Sequence, residues 1–214
     1  MTKWRVLIID DHPIVRRGLR QLVGEQPDFE ICGEAGTRQE ALDIAASTQA
    51  DIAIVDLILP DSPGLGLIER LRANHPDLRL LVSSMHDERL FARRVLQLGA
   101  RGYIAKQESP ELMLEALRSI GRGEIWTSER VRSSLSGRNH RGAAEASPLT
   151  ALTNRELEVF EMIGHGRSTR EIADRLGLSV KTVETHRASI KMKLGARTST
   201  ELSQYAVQWV LEGF

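Results

Sequence analysis

Five side chains with complementary chemistry stand at the ends of short apolar runs. Asp10 and Asp11 follow Val6-Leu-Ile-Ile9, Asp56 follows Ile52-Ala-Ile-Val55, Ser84 closes the run that begins at Leu78, and Lys106 follows Gly102-Tyr-Ile-Ala105. Continuous apolar runs of this length, ending on a polar residue and turn chemistry, read as strands of a parallel sheet covered on both faces. In open α/β sheets ligands bind outside the carboxyl ends of the strands, so the five side chains would share the functional edge. Magnesium accepts one or two carboxylates, keeps several waters and completes its shell with phosphate oxygens, which suits Asp10, Asp11 and Asp56; Mn2+ accepts the same donors. A carboxylate can also attack phosphorus to give an aspartyl phosphate, with Lys106 as a point charge on the phosphoryl oxygens. The set reads as phosphoryl capture.

Taken singly, each member has a plainer explanation. Asp11, shortly before Pro13, could cap the first helix; Lys106 could be a solvated lysine; Ser84 could satisfy a backbone group at a strand end. Their joint placement on successive strand ends favours the functional reading, with Asp11 free to cap as well.

The elements that must position this set follow from periodicity. Ile14, Val15, Leu19, Leu22 and Val23 fall at helical spacing, and Glu30 to Glu34 is a weaker strand. Ala41 to Ala46 marks a helix, as do Leu67 to Leu71, Leu90 to Leu98, and Glu111 to Ile120 after Ser109-Pro110. Five strand–helix units predict a doubly wound parallel sheet. The chain has 214 residues, which suits two modest domains. Residues 1–127 hold 16 Lys/Arg against 19 Asp/Glu (−3), residues 128–148 hold 4 against 2 (+2), and residues 149–214 hold 9 against 8 (+1). Charges this small do not by themselves argue for nucleic acid; a local concentration is needed. Cys32 is the sole cysteine, which excludes an intrachain disulfide or a cysteine zinc cluster and suits a reducing cytoplasm. No apolar run approaches the ~18 residues that span a bilayer, so no membrane association is expected.

Residues 1–127 resemble the receiver domain of bacterial two-component response regulators. The resemblance implies a flavodoxin-like sheet of order 2-1-3-4-5, an arrangement for which the receiver CheY is the standing example. It also implies a phosphoacceptor at Asp56, a metal-binding pair at Asp10 and Asp11, a switch hydroxyl at Ser84, a switch aromatic at Tyr103 and a phosphoryl-contacting lysine at Lys106. The Lys-Pro dipeptide common in receivers is here Lys106-Gln107, a variation usual among regulators of the NarL/FixJ kind.

After the receiver, Glu129 to Leu135 could form a short helix, while Ser136 to Pro148 lacks apolar periodicity and reads as a flexible linker, giving a linker over residues 128–148. Beyond Pro148 every signal is helical. Thr153-Asn-Arg-Glu156, Ser168-Thr-Arg-Glu171 and Thr198-Ser-Thr-Glu201 each fit a capping box, Ser179 supplies a further cap, and Gly177 stands where a helix ending at Leu176 needs a left-handed residue. Helix, tight turn, helix predicts a helix-turn-helix over residues 149–214. Projected at ~100° per residue, the second helix, Val180 to Leu194, buries Val183, Ile190 and Leu194 and turns Lys181, Thr185, Ala188 and Met192 outward, with Glu184 and Lys191 flanking. From Ser179 to Arg197, Lys181, Arg187, Lys191, Lys193 and Arg197 face only Glu184, which is the missing basic concentration. The wheel places Arg187 close to the apolar stripe, so its stem should pack while its guanidinium reaches outward.

Leu152-Thr-Asn-Arg-Glu156, Glu171-Ile-Ala-Asp-Arg-Leu-Gly-Leu-Ser179 and Lys181-Thr-Val-Glu-Thr-His186 resemble the LuxR-type helix-turn-helix of NarL/FixJ regulators. This resemblance implies DNA contacts from Ser179, Lys181, Thr182, Glu184, Thr185, Arg187, Ala188 and Lys191, and dimerisation on DNA through the last helix, with Tyr205 and Trp209 as candidates. The implied protein is a cytoplasmic, DNA-binding response regulator. A sensor histidine kinase would phosphorylate Asp56 and so control dimerisation and promoter binding; the only chemistry of its own would be capture and loss of that phosphoryl group. Two rivals are a relay receiver whose helical domain binds protein, and an enzymatic output domain. Residues 149–214 contain only His165 and His186 and no cysteine, which leaves the second rival without a metal or nucleophile constellation.

Overall fold

The computed structural model describes residues 3–59, 62–85, 88–135 and 148–212. It divides into two compact units, Met1–Arg138 and Asn139–Phe214. Most of the linker stretch, residues 136–147, lies outside the described residues.

The first unit alternates strands and helices as the runs predict. β1 (Trp4–Ile9), α1 (Pro13–Gly24), β2 (Phe29–Ala35), α2 (Arg38–Ser47) and β3 (Ile52–Val55) come first. A two-residue antiparallel pairing of Ile58–Leu59 with Ser62–Pro63 then precedes α3 (Gly64–Asn74), β4 (Arg79–Ser84), α4 (Glu88–Gln97), β5 (Gly102–Ala105) and α5 (Pro110–Gly121). The five strands are all parallel in the order β2-β1-β3-β4-β5. Alternate residues of a strand face opposite sides, so Val6, Ile8, Ile52, Ile54, Leu81 and Ile104 pack with Val23, Met113, Leu117 and Ile120 of α1 and α5. Their neighbours Leu7, Ile9, Ala53, Val55, Leu80 and Val82 are buried too, which is why these strands carry no polar alternation. Along β1, β3 and β4 the polar side chains therefore stand near the strand ends, whereas the edge strand β2 carries Glu30 and Glu34.

Residues Glu129–Leu135, the first part of the expected linker, form α6; it packs against α4 and buries Val131.

The second unit is helical: a 3-10 turn (Pro148–Ala151), α7 (Asn154–Gly164), α8 (Thr169–Leu176), α9 (Val180–Leu194) and α10 (Ser199–Glu212). Two of the three expected capping boxes are complete, at Thr153/Glu156 and Ser168/Glu171. In the third, Thr198 Oγ1 accepts from the Glu201 amide at 3.0 Å, but the Glu201 carboxylate reaches past its cap residue to the Arg197 amide at 2.7 Å. Gly177 has φ 62° and closes α8, since the left-handed region penalises any side chain there. α7 and α10 form the main helix pair, and they approach closest at Gly164: a Cβ there would lie 2.5 Å from the Ala206 carbonyl oxygen. Backbone cannot yield as a flexible side chain can. Gly164→Ala should therefore destabilise the helical unit by about 1–3 kcal/mol, read as a lower midpoint in denaturant melts; an unchanged midpoint would show that the helices can part without cost.

Candidate functional site

The expected edge is assembled by four neighbouring strands of the sheet, β1, β3, β4 and β5, and the backbone that extends them. The Asp10 amide donates to the Ala35 carbonyl at 3.0 Å, the Asp56 amide to Ile9 at 2.8 Å, and the Lys106 amide to Ser84 at 2.9 Å, so each residue is held by its neighbour's ladder. Asp10 and Asp56 are 2% exposed and Ser84 is fully buried. Lys106 lies between the two carboxylates, its Nζ 2.6 Å from Asp10 Oδ2 and 2.7 Å from Asp56 Oδ2. Burial raises the Asp56 carboxyl, a rise that Lys106 opposes and Asp10 reinforces. The Lys106 ammonium is disfavoured by burial, but Asp56 and Asp10 outweigh that and raise its pKa, so it stays charged.

The remaining polar atoms fix the carboxylates in place. The His12 amide donates to Asp10 Oδ1 at 2.9 Å, and the Ile58 amide to Asp56 Oδ1 at 3.1 Å. Asp11 does not cap α1; His12 holds the N-cap position without a side-chain cap, and Pro13 begins the helix. Asp11 Oδ1 is buried, with His12 Nδ1 2.5 Å away. Ligand atoms of Asp10, Asp11, His12 and Asp56 all fall within 4.8 Å of one another. Three carboxylates whose oxygens converge in this way fit a hard divalent cation. Tyr103, on β5, is 1% exposed, with its ring in the interior.

The helical unit presents the second candidate surface. Ser179 Oγ accepts from the Thr182 amide at 3.0 Å and caps α9. Lys181, Glu184, Thr185 and Ala188 are exposed along one side, while Val183 and Ile190 are buried on the other. Leu194, expected in the buried stripe, is only half-buried, because it ends the helix beside Gly195. Thr182 is half-buried with its Oγ1 2.7 Å from Ser179 Oγ; Arg187 is half-buried, and burial lowers its pKa; Lys191 is half-buried. Tyr205 is exposed and donates its hydroxyl to Glu201 Oε1 at 3.1 Å, whereas Trp209 meets Phe160 of its own unit edge to face, centroids 6.5 Å apart.

Residues 6–118 match the response regulator receiver domain, and residues 150–206 match bacterial regulatory proteins of the luxR family. The chain is 35% identical over 197 residues to the nitrate/nitrite response regulator protein NarP of Escherichia coli, covering 92% of this chain and 91% of that one. The chain belongs to the response regulators. To the oxygen regulatory protein NreC of Staphylococcus aureus this response regulator is 33% identical over 210 residues, 95% of this chain and 97% of the other. RcsB from Salmonella enterica serovar Typhimurium, solved bound to the promoter rprA in the presence of the phosphomimetic BeF3-, aligns with a TM-score of 0.69 at 26% identity over 96% of this chain and 99% of that one.

Two residues that order this response regulator's helical unit are not visible as such in the sequence. Glu156 is recognisable only as a cap, yet it is 4% exposed and also accepts from Ser189 Oγ at 2.5 Å and Lys193 Nζ at 2.6 Å, both on α9. Arg155 pairs with Glu158 at 2.8 Å and donates to the Leu176 carbonyl at 2.5 Å, holding the end of α8 at the turn. These contacts span 33, 37 and 21 residues, beyond any local pattern. Lys193 therefore has a partner inside its own unit and is not part of the free basic surface.

Burial would raise the Glu156 carboxyl, but hydrogen bonds from Lys193, Ser189 and Thr153 outweigh it and hold the group at about 2, below the ordinary 4.5. A depressed folded-state value contributes stability that is complete above the unfolded value and is lost as pH falls toward the folded one. Thermal melts should thus lose stability between about pH 5 and 2, and Glu156→Gln, costing about 2–3 kcal/mol at neutral pH, should flatten that acid limb. Parallel acid limbs in both proteins would remove Glu156 as its source.

Proposed function

We propose that this response regulator captures a phosphoryl group on Asp56 from a sensor histidine kinase in the cytoplasm, and that capture promotes dimeric binding of α9 to promoter DNA. The observation that carries the reading is the Lys106 ammonium seated 2.6 and 2.7 Å from the two buried carboxylates, Asp10 and Asp56. Asp56 attacks phosphorus through a carboxylate oxygen, an Oδ–P bond forms, and the bond to the donor histidine nitrogen breaks, leaving that nitrogen to take a proton. Lys106 then exchanges its Asp56 contact for the new phosphoryl oxygens. Asp10, Asp11 and Asp56 would hold Mg2+ or Mn2+, which neutralises the phosphoryl oxygens during transfer. Ser84, at the end of β4 beside Lys106, donates to a phosphoryl oxygen and draws its loop inward. The Tyr103 ring is already interior here, so capture would stabilise an inward ring rather than create its cavity. No described helix is long and apolar enough to cross a membrane.

On the helical unit, Lys181, Glu184, Thr185 and Ala188 face base edges, with Glu184 able to accept from cytosine N4, while Ser179, Thr182, Arg187 and Lys191 serve the backbone or the seating of the helix. Dimerisation on DNA through α10 is best served by the exposed Tyr205, with Trp209, partly buried against Phe160 of its own unit, at the margin.

Acetyl phosphate with magnesium should label the chain once, and Asp56→Ala should abolish the label; a variant labelled as strongly as the parent sinks the assignment. Lys106→Ala should impair the response to phosphorylation more than magnesium binding. Phosphorylation should tighten promoter binding by about 5–150-fold, the range of ordinary coupling energies. In salt titrations, Lys191→Ala should lower the slope by about 1, whereas Lys193→Gln should leave the slope unchanged because Glu156 already holds that charge. A lowered slope for Lys193→Gln would put its ammonium on DNA instead.

A further inference from the structure

The outward face of α9 is less polar than its composition suggests. Thr185, Ala188 and Met192 fall within about 60° of one another on the helix at ~100° per residue, at spacings of three and four. Thr185 and Ala188 are exposed and Met192 is 77% exposed. The Thr185 hydroxyl donates to the Lys181 carbonyl at 3.0 Å, one turn back in the same helix. Its hydrogen is therefore spent internally, and the methyl is the part left to meet a ligand. The three residues form a strip of two methyls and a thioether, with exposed Lys181 at its N-terminal end and half-buried Lys191 along its flank. A strip seated among cations is suited to an anionic partner with apolar points on its surface, not to an apolar protein face. In the major groove one base-edge group is apolar, the thymine 5-methyl, and small or unbranched apolar side chains are what contact it.

We propose that Thr185, Ala188 and Met192 read thymine 5-methyl groups, so that part of the sequence preference comes from methyl contacts instead of hydrogen bonds. This rests on the reading that α9 enters the major groove. The contribution is separable from that of Glu184, which sits at the edge of the strip and addresses amino groups.

The test removes single methyls from the DNA. Duplexes bound tightly by the full-length chain are selected, and each thymine is replaced in turn by deoxyuracil, which deletes the 5-methyl and leaves the hydrogen-bonding edge intact. Affinity should fall about fourfold at one or more positions, the effect of one buried methyl. The double variant Thr185→Ser, Met192→Gln keeps the hydroxyl bond to Lys181 and alters only exposed atoms; it should bind the thymine and uracil duplexes alike at the position that responds. Thr185→Ser alone should give part of that flattening. Tight binding with a flat uracil series overturns the methyl readout while leaving DNA binding intact. If the series is flat and the double variant nevertheless loses transcriptional output, the strip serves a protein and the proposal also fails. Absence of binding to any duplex would sink the underlying assignment of α9 together with it.

Discussion

An ammonium held between two buried carboxylates is the constraint on which the first unit depends. Removing carboxylates from water costs several kcal/mol each, and the cost is offset only where a partner and hydrogen bonds meet them in good geometry. Lys106 supplies the partner to Asp10 and Asp56, and the His12 and Ile58 amides supply hydrogen bonds. The arrangement keeps two acids next to each other, with the Asp11 carboxylate beside them and His12 Nδ1 2.5 Å from its Oδ1. In the proposed mechanism the same lysine must let go of Asp56 when the phosphoryl group arrives, so the contact favours the unphosphorylated state of the switch and sets a threshold for leaving it.

The helical unit uses the same device for a different end. Glu156 is nearly as buried as Asp56, and it too is held by a lysine, but its other partners are a hydroxyl and an amide of its own unit. Nothing is left unsatisfied, and its carboxyl is driven down to about 2, whereas burial leaves that of Asp56 raised. The contrast separates structure from chemistry: a fully bonded carboxylate locks α7 to α9 and fixes which residues of α9 face outward. Asp56 also has a partner on each oxygen, but one of them is a lysine it shares with Asp10. Glu156 also changes the electrostatic account of α9, because one of the five cations counted between Ser179 and Arg197 is spent inside the unit and Arg187 is half-buried.

The strands themselves, the five strand-end residues and the two complete capping boxes were legible from the chain because each is written in local pattern: apolar runs, turn residues and i to i+3 pairs; the order of the strands came only with the resemblance to receiver domains. What could not be read locally was where a side chain's second partner lies. The third capping box shows the limit, since Thr198-Ser-Thr-Glu201 has the right residues but the carboxylate bonds the Arg197 amide, a choice set by how the chain enters α10. Asp11 shows another, because a plausible cap lost to His12 once Pro13 had fixed the first turn. Glu156 read as a cap and is also the joint between two helices, a tertiary role with no spacing of its own. Thr185 read as a polar base contact, and only the bond to Lys181 reveals that its hydroxyl is turned back.

Coupling between the units requires a two-state element, and the receiver offers a continuous path to the last part of it that is described. Tyr103 donates its amide to the Trp126 carbonyl at 3.3 Å, and Trp126 returns a bond to Arg101 at 2.9 Å, so the segment after α5 lies along the free edge of β5. Gly102 permits this approach, since a Cβ there would lie 3.0 Å from the Trp126 oxygen and 2.9 Å from Leu81. One residue on, the Thr127 carbonyl accepts from Arg132 of α6 at 3.2 Å, and α6 in turn packs on α4. Whatever moves β5 or α4 therefore acts on α6 from two sides, through the backbone that leads into it and through the helix on which it rests. A tether transmits only what its anchored end does. In the proposed mechanism the phosphoryl group at Asp56 acts on Ser84 and the Tyr103 strand, and the seat of α6 is where that local change first becomes a change in the chain leading to the DNA-reading unit.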